Sequence, residues 1–202
     1  MEKKEKTNLA EGEEIALRSM FPKGKELSIK EIMKHTPYSS YERNNTYLKS
    51  LAQKQIIEEK KAGRTLLYSI IPDTLISKKA FHAYAFEQVQ SFSERHPIIT
   101  KALKELFKEG IDIILVFGSY AKGTERKDSD IDILAVSNKK DKVERLLTSI
   151  KRKYGLPLHA IIVPMVEFGK IKSENKELWD SLVMHGILFK GYEVFYQYAY
   201  TN

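Results

Sequence analysis

Residues 116–136 read VFGSYAKGTERKDSDIDILAV, two apolar runs joined by a polar segment. Ile111 to Phe117 form a short apolar run rich in β-branched residues, the pattern of a buried strand. Gly118-Ser119 follows at once, and Tyr120 to Gly123 can begin a helical turn. Glycine lets the backbone approach a ligand closely. Ser119 offers a hydroxyl and an amide, and amides at a helix start favour phosphate. Lys122, Arg126 and Lys127 add positive charge nearby. Asp130 to Val136 reads as a second strand. Side chains alternate along a strand, so Asp130 and Asp132 share one face while Ile131 and Ile133 take the other. Adjacent carboxylates are costly unless something neutralises them. A divalent cation does so, and hard oxygen ligands suit Mg²⁺. The bland alternative is a hairpin with a polar loop.

Each half of the pattern is weak alone. Together, Gly118-Ser119 and Asp130-Ile131-Asp132, separated by ten residues, resemble the signature of the polymerase-β-like nucleotidyltransferase superfamily. The nearest likeness is to its minimal nucleotidyltransferase branch, where Ala, a basic residue and Gly commonly follow the Gly-Ser. GSYAKG and SDIDIL match as they stand, and LVMHGILFKGYEVF looks like the branch's closing helix and strand. The resemblance covers about residues 97–195. It implies a mixed sheet flanked by helices. It also implies Gly118 and Ser119 at the β and γ phosphates of an NTP, with Lys122 adding charge beside them. Asp130 and Asp132 would then be the Mg²⁺ ligands. The implied reaction is attack of an acceptor hydroxyl on the α-phosphate with loss of pyrophosphate.

The sequence departs from that family at one place. Active members carry a third carboxylate on a later strand. Here that strand falls in LPLHAIIVPMVEF, Leu156 to Phe168, whose only acid is Glu167, beyond Pro164. His159 stands near the expected position. Histidine can act as a base, but Mg²⁺ prefers oxygen, so His159 is read either as a catalytic substitute or as an ordinary strand residue.

The N-terminal part has its own pattern. EGEEIALRSMF places Ile15, Leu17, Met20 and Phe21 at near-helical spacing, and PKGKEL breaks it. Ser28 with Glu31 makes a capping box before Ile29, Ile32 and Met33. After PYSS, a third helix turns Leu48, Leu51 and Ala52 inward, capped by Ser39 or Ser40. IIEEKKAGRTLLYSII then reads as strand, basic turn, strand. Three helices and a basic hairpin in this order resemble a winged helix-turn-helix domain. The resemblance implies a recognition helix entering the major groove of double-stranded DNA. Ser40, Tyr41, Arg43 and Asn44 would meet the DNA there, and Lys60, Lys61 and Arg64 would meet phosphates from the wing. The alternative is a small domain for dimerisation or protein contacts.

The expected organisation is therefore α+β. Residues 1–72 form the winged helix-turn-helix domain, residues 73–96 a connector helix, and residues 97–202 the nucleotidyltransferase domain. The connector carries an aromatic stripe of Phe81, Tyr84 or Ala85, Gln88 and Phe92, suited to packing or to a homodimer face. Pro97 starts a further helix that Gly110 closes. His82, His96 and the other histidines show no metal-ligand spacing.

The chain has 202 residues, 42 % of them apolar, enough for one large domain or two small ones. Residues 1–72 hold 14 basic and 10 acidic side chains, a net of +4, and the rest hold 20 and 17, a net of +3. This balance favours an anionic partner, although Lys/Glu-rich solvated helices account for most of it. Cysteine is absent, which excludes disulfides and thiolate metal sites. There is no apolar run long enough to span a membrane and no secretory h-region at the start, so a cytoplasmic protein is expected. Two further readings stay open beside an active transferase: a transcription regulator whose domain senses nucleotides with weak catalysis, and an antitoxin acting on a toxin protein partner.

Overall fold

The computed structural model describes residues 9–22, 26–108 and 110–201. Residues 23–25, the middle of the expected break at PKGKEL, lie outside the described residues. The chain divides into two units, residues 1–82 with 196–202, and residues 83–195. It is a mixed α+β protein with a sheet in each unit.

In the first unit, Glu11–Arg18 (α1) carries acids in its first turn and Arg18 in its last, matching the helix dipole at both ends. Ala16, Leu17, Met20 and Phe21 are buried, and Ile15 is half-buried. Leu27–Ser28 (β1) leads into Ile29–Met33 (α2). The capping box forms there: the Ser28 amide donates to Glu31 Oε2 at 2.8 Å and the Glu31 amide to Ser28 Oγ at 3.4 Å. Tyr41–Gln53 (α3) is capped by Ser40, whose hydroxyl accepts the Arg43 amide at 3.3 Å. Leu48 and Leu51 are fully buried.

Ile57–Ala62 (β2) and Thr65–Ile70 (β3) form the hairpin, and Gly63 supplies the positive φ of 60° that its tight turn needs. β1 pairs antiparallel with β3 on the other side, so the order is β1-β3-β2. Such a two-residue strand leaves no periodic signal in the sequence.

Leu75–Arg95 (α4) is one unbroken helix, as its periodicity indicates. Phe81 near its start stacks on Tyr196 and Tyr200, at 4.9 and 5.5 Å between ring centroids, and meets Phe21 edge-on at 5.3 Å. A buried aromatic pair of this kind is worth about 0.5–1.5 kcal/mol beyond its area.

In the second unit, Pro97–Lys104 (α5) has proline at its first position, where the missing N–H costs nothing. The chain then runs through Ile113–Phe117 (β4), Gly118–Lys122 (α6), Ile131–Val136 (β5), Lys140–Tyr154 (α7) and Leu158–Val163 (β6). It closes with Met165–Glu174 (α8), Lys176–His185 (α9), Ile187–Lys190 (β7) and Tyr192–Tyr200 (α10). The sheet order is β6-β5-β4-β7. β4 is antiparallel to β5 and β7, while β5 and β6 are parallel and joined through α7. Parallel neighbours need such a crossover. Ile114, Val116, Ile131, Ile133 and Ala135 are fully buried at the centre of this core. Each large aliphatic side chain so placed contributes about 1.5–3 kcal/mol relative to exposure.

Candidate functional site

Strand register builds the site. Phe117, the last residue of β4, pairs with Asp132 on β5, and Asp132 pairs with His159 on β6. The chain turns into α6 immediately after Phe117, at Gly118 with φ 71°. A Cβ at Gly118 would overlap the Asp132 carboxylate. Glycine is required there twice, for the left-handed backbone and for the close approach of the acid. Ser119 is the second residue of α6 and is half-buried, and Lys122 is its exposed last residue. Gly123, with φ 68°, ends the helix by donating its amide to Ser119 O. The Thr124 amide reaches the same oxygen at 3.0 Å.

A tight turn delivers the first aspartate. The Arg126 amide donates to Ser129 Oγ at 2.8 Å, and the Ser129 amide donates back to Arg126 O at 3.0 Å. Asp130 follows directly, exposed, one residue before β5. Asp132 is the more enclosed of the two, with 29 % of its side chain exposed. Its Oδ1 lies 3.1 Å from His159 Nδ1. His159 itself is 65 % exposed. Glu167 lies in the first turn of α8, past Pro164 and outside β6. Asp112 is exposed before the opposite end of β4, so it takes no part.

Among the described residues no group of three or more His, Asp or Glu is set to hold a metal ion. The donors at hand are two carboxylates, with an imidazole bonded to one of them. Hard carboxylate oxygens beside a glycine cradle fit Mg²⁺ held partly by a substrate's phosphates, the usual manner of such sites. The donor set does not make a self-sufficient metal cage.

Residues 97–188 match the family described as Nucleotidyltransferase domain. The chain is 41 % identical over 70 residues to a protein of Methanocaldococcus jannaschii named "Putative protein adenylyltransferase MJ0604", a segment covering 34 % of this chain and 70 % of that protein. It belongs to the nucleotidyltransferase family. A second protein of the same organism, "Putative protein adenylyltransferase MJ0141", is 28 % identical over 75 residues, 36 % of this chain and 76 % of the relative. The family span contains the Gly118-Ser119 turn, both aspartates and His159 of this nucleotidyltransferase, and it leaves residues 1–82 outside.

Sequence reading missed what supports the turn from behind. His96, at the corner between α4 and α5, lies with its Nε2 3.3 Å from Glu125 Oε1. Its ring meets Tyr120 of α6 edge-on at 5.3 Å. Burial pushes the imidazole below its ordinary value, Glu125 pulls it back up and Arg95 pushes it down again. Only the fold brings these residues together, and a lone His before proline gives no signal of it.

The seven N-terminal candidates have unlike surroundings. Ser40 caps α3, and Tyr41 beside it is 49 % exposed. Arg43 donates from Nε to Tyr47 Oη at 3.2 Å and lies 4.1 Å over the Tyr38 ring. The bond it donates to Tyr47 raises its already high pKa. Asn44 corrects the expectation of DNA contact. It is fully buried, and its Nδ2 donates to Tyr38 O and Ser40 O at 2.9 and 2.8 Å, so it ties down the turn before α3. Lys60 is paired with Glu26 at 2.7 Å, which raises its pKa. Lys61 and Arg64 are exposed. Lys60 and Lys61 are adjacent on β2, so they face opposite sides of the hairpin. No helix among the described residues is long and apolar enough to cross a membrane.

Proposed function

We propose that this protein is a Mg²⁺-dependent nucleotidyltransferase that binds an NTP between the Gly118-Ser119 turn and Asp130 and Asp132. The observation that carries this reading is the seating of the Asp132 carboxylate against Gly118, enforced by strand register. The names of the two relatives make ATP the first nucleotide to test and a protein hydroxyl the first acceptor.

Bound Mg²⁺ would supply positive charge for the phosphate oxygens and the departing pyrophosphate. The chain's own residues do the rest. Ser119 and the first amides of α6 receive the phosphates, with Lys122 adding charge at the helix end. Asp130 and Asp132 would hold the metal, and the Ser129–Arg126 turn fixes where Asp130 enters. His159 orients Asp132 and is the exposed ionisable group placed to take the acceptor's proton. The acceptor oxygen bonds to the α-phosphorus, and the bond from that phosphorus to the bridging oxygen of pyrophosphate breaks. Positioning and charge stabilisation account for most catalysis of this kind.

The test is incubation with α-labelled ATP, GTP, CTP or UTP and Mg²⁺, reading pyrophosphate release and label retained on an acceptor. Both should vanish in Asp130→Ala/Asp132→Ala. Absence of NTP binding by the wild type rejects the reading. The donor set with only two carboxylates favours one alternative, a nucleotide sensor that binds Mg-NTP without turnover; tight binding without pyrophosphate release identifies it.

For residues 1–72 the reading is a winged helix-turn-helix that binds double-stranded DNA, with residues 73–96 as connector and 97–202 as the transferase domain. The support is the order α1, α2, α3 and a basic hairpin, with Tyr41, Lys61 and Arg64 exposed. Binding that is absent, or insensitive to salt, rejects it.

A further inference from the structure

The corner between α4 and α5 is built onto the motif helix rather than merely joining two helices. His96 touches both ends of the 120–125 segment: its ring packs edge-on against Tyr120, and its Nε2 faces Glu125 at 3.3 Å. Its neighbour Arg95 reaches the middle, with Nη1 3.3 Å from where a Cβ at Gly123 would stand. Phe92 also packs on the imidazole, tilted, at 4.7 Å between ring centroids. Glu125 is half-buried for an ion on a loop. His96 Nε2, Glu125 Oε2 and Thr100 Oγ1, one helical turn beyond His96, are buried without a hydrogen-bond partner. Buried polar atoms normally find partners, and one without them calls for an explanation. A slight approach of Glu125 would give His96 Nε2 a partner. That movement pulls on the segment that begins at Ser119 and ends before Asp130.

We infer that His96 is a positioning residue for nucleotide binding: by gripping Tyr120 and Glu125 it holds the Ser119 turn in the shape that receives phosphates. This rests on the nucleotidyltransferase reading of Ser119. The grip has two separable parts, a ring that packs on Tyr120 and a nitrogen that faces Glu125. His96→Phe keeps the ring and deletes that nitrogen. His96→Gln restores a nitrogen at a similar reach. Glu125→Gln weakens the acceptor.

The experiment measures Mg-ATP affinity by titration calorimetry and, in the nucleotide-free protein, hydrogen exchange at the Thr124 amide, which bonds Ser119 O. Loss of the His96 contact with Glu125 should raise the ATP Kd about tenfold in His96→Phe, the size expected of one polar contact to a charged group. Thr124 exchange should accelerate by a similar factor. His96→Gln should recover most of both. His96→Phe/Glu125→Gln should be no worse than either single variant, because the two residues act through one contact. A merely structural histidine would instead lower the melting temperature without this rescue and without this coupling. The inference is overturned if folded His96→Phe keeps wild-type exchange at Thr124, or keeps wild-type ATP affinity. If the wild type binds no NTP while His96→Phe still speeds Thr124 exchange, the nucleotide reading falls and the grip on the turn remains.

Discussion

His159 Nδ1 lies 3.1 Å from Asp132 Oδ1, across the parallel register of β6 and β5. An imidazole therefore stands beside the enclosed aspartate, on the strand where the family resemblance places a third carboxylate. With its proton on Nδ1 it fixes the orientation of that carboxylate. It adds no hard oxygen for Mg²⁺.

This pairing separates two substitutions that would otherwise look alike. His159→Ala frees the Asp132 carboxylate and deletes the candidate base, and should cut transfer by roughly 100-fold. His159→Asp supplies an oxygen ligand in the same register. It should lower the half-saturating Mg²⁺ concentration about tenfold, since removing an outer partner of a metal ligand costs 10–100-fold and adding a ligand works the opposite way. Metal titrations of pyrophosphate release, or of ATP affinity if turnover is absent, measure this. Equal metal dependence in the three proteins would show that His159 does not face the ion.

Gly118→Ala tests the approach of backbone to acid. Its φ of 71° costs a residue with a Cβ about 1–2 kcal/mol, and that Cβ overlaps the Asp132 carboxylate. The expected outcome is a melting point lower by several degrees and an ATP affinity too weak to titrate. Retained affinity with lost stability would place the phosphates elsewhere.

The sequence was most legible where local chemistry and tertiary structure ask for the same thing. Ser28 with Glu31 sets a helix start by itself, Gly63 sets a hairpin turn, and the apolar run before Gly118 has to be a buried strand. Asp132 and Gly118 announced themselves through spacing, although their apposition needs the antiparallel register. Asn44 misled because an amide early in a candidate recognition helix suits a base edge as well as a carbonyl. Its burial is set by the preceding turn, which residue type does not reveal. β1, the Tyr196 and Tyr200 contribution to the first unit, and His96 with Glu125 all depend on contacts between distant segments and leave no periodic trace.

The proposed DNA face ranks its cations. Lys60 is engaged with Glu26, whereas Lys61 and Arg64 are exposed. Lys61→Glu/Arg64→Glu should abolish DNA binding at moderate salt. Lys60→Ala should change affinity about twofold or less, because an exposed ion pair already occupies it. Each cation withdrawn from a phosphate should reduce the slope of log affinity against log salt by about one. Fluorescence anisotropy with a labelled duplex reads all three. An unchanged slope in the double variant would remove the hairpin from the interface.

The first unit contains a buried charge whose pH behaviour can be worked out in sign. Glu13 is 4 % exposed and receives Lys54 Nζ and Ser50 Oγ, both at 2.5 Å, and the Ala10 amide at 2.7 Å. Burial alone raises its pKa, but the bonds from Lys54, Ser50 and Ala10 together outweigh burial and hold it below the ordinary 4.5. A carboxylate with a lowered folded pKa contributes stability above pH 4.5 that is lost as pH falls through the folded value. Lys54→Met removes the countercharge and one of the bonds that offset burial, so the folded pKa of Glu13 should rise from its lowered value, and less stability is then lost as pH falls. At pH 7 the variant should be less stable by about 3 kcal/mol, the low end for breaking a buried pair, because Lys54 is itself partly exposed. Near pH 4 the gap should shrink, since the stranded carboxylate can take up a proton. Glu13→Gln/Lys54→Met should regain most of the loss at pH 7, as uncharged replacements of buried pairs usually do. Urea denaturation at the two pH values measures each difference, and a gap that does not narrow on acidification would mean that Lys54 stabilises α1 through packing of its aliphatic stem rather than through charge.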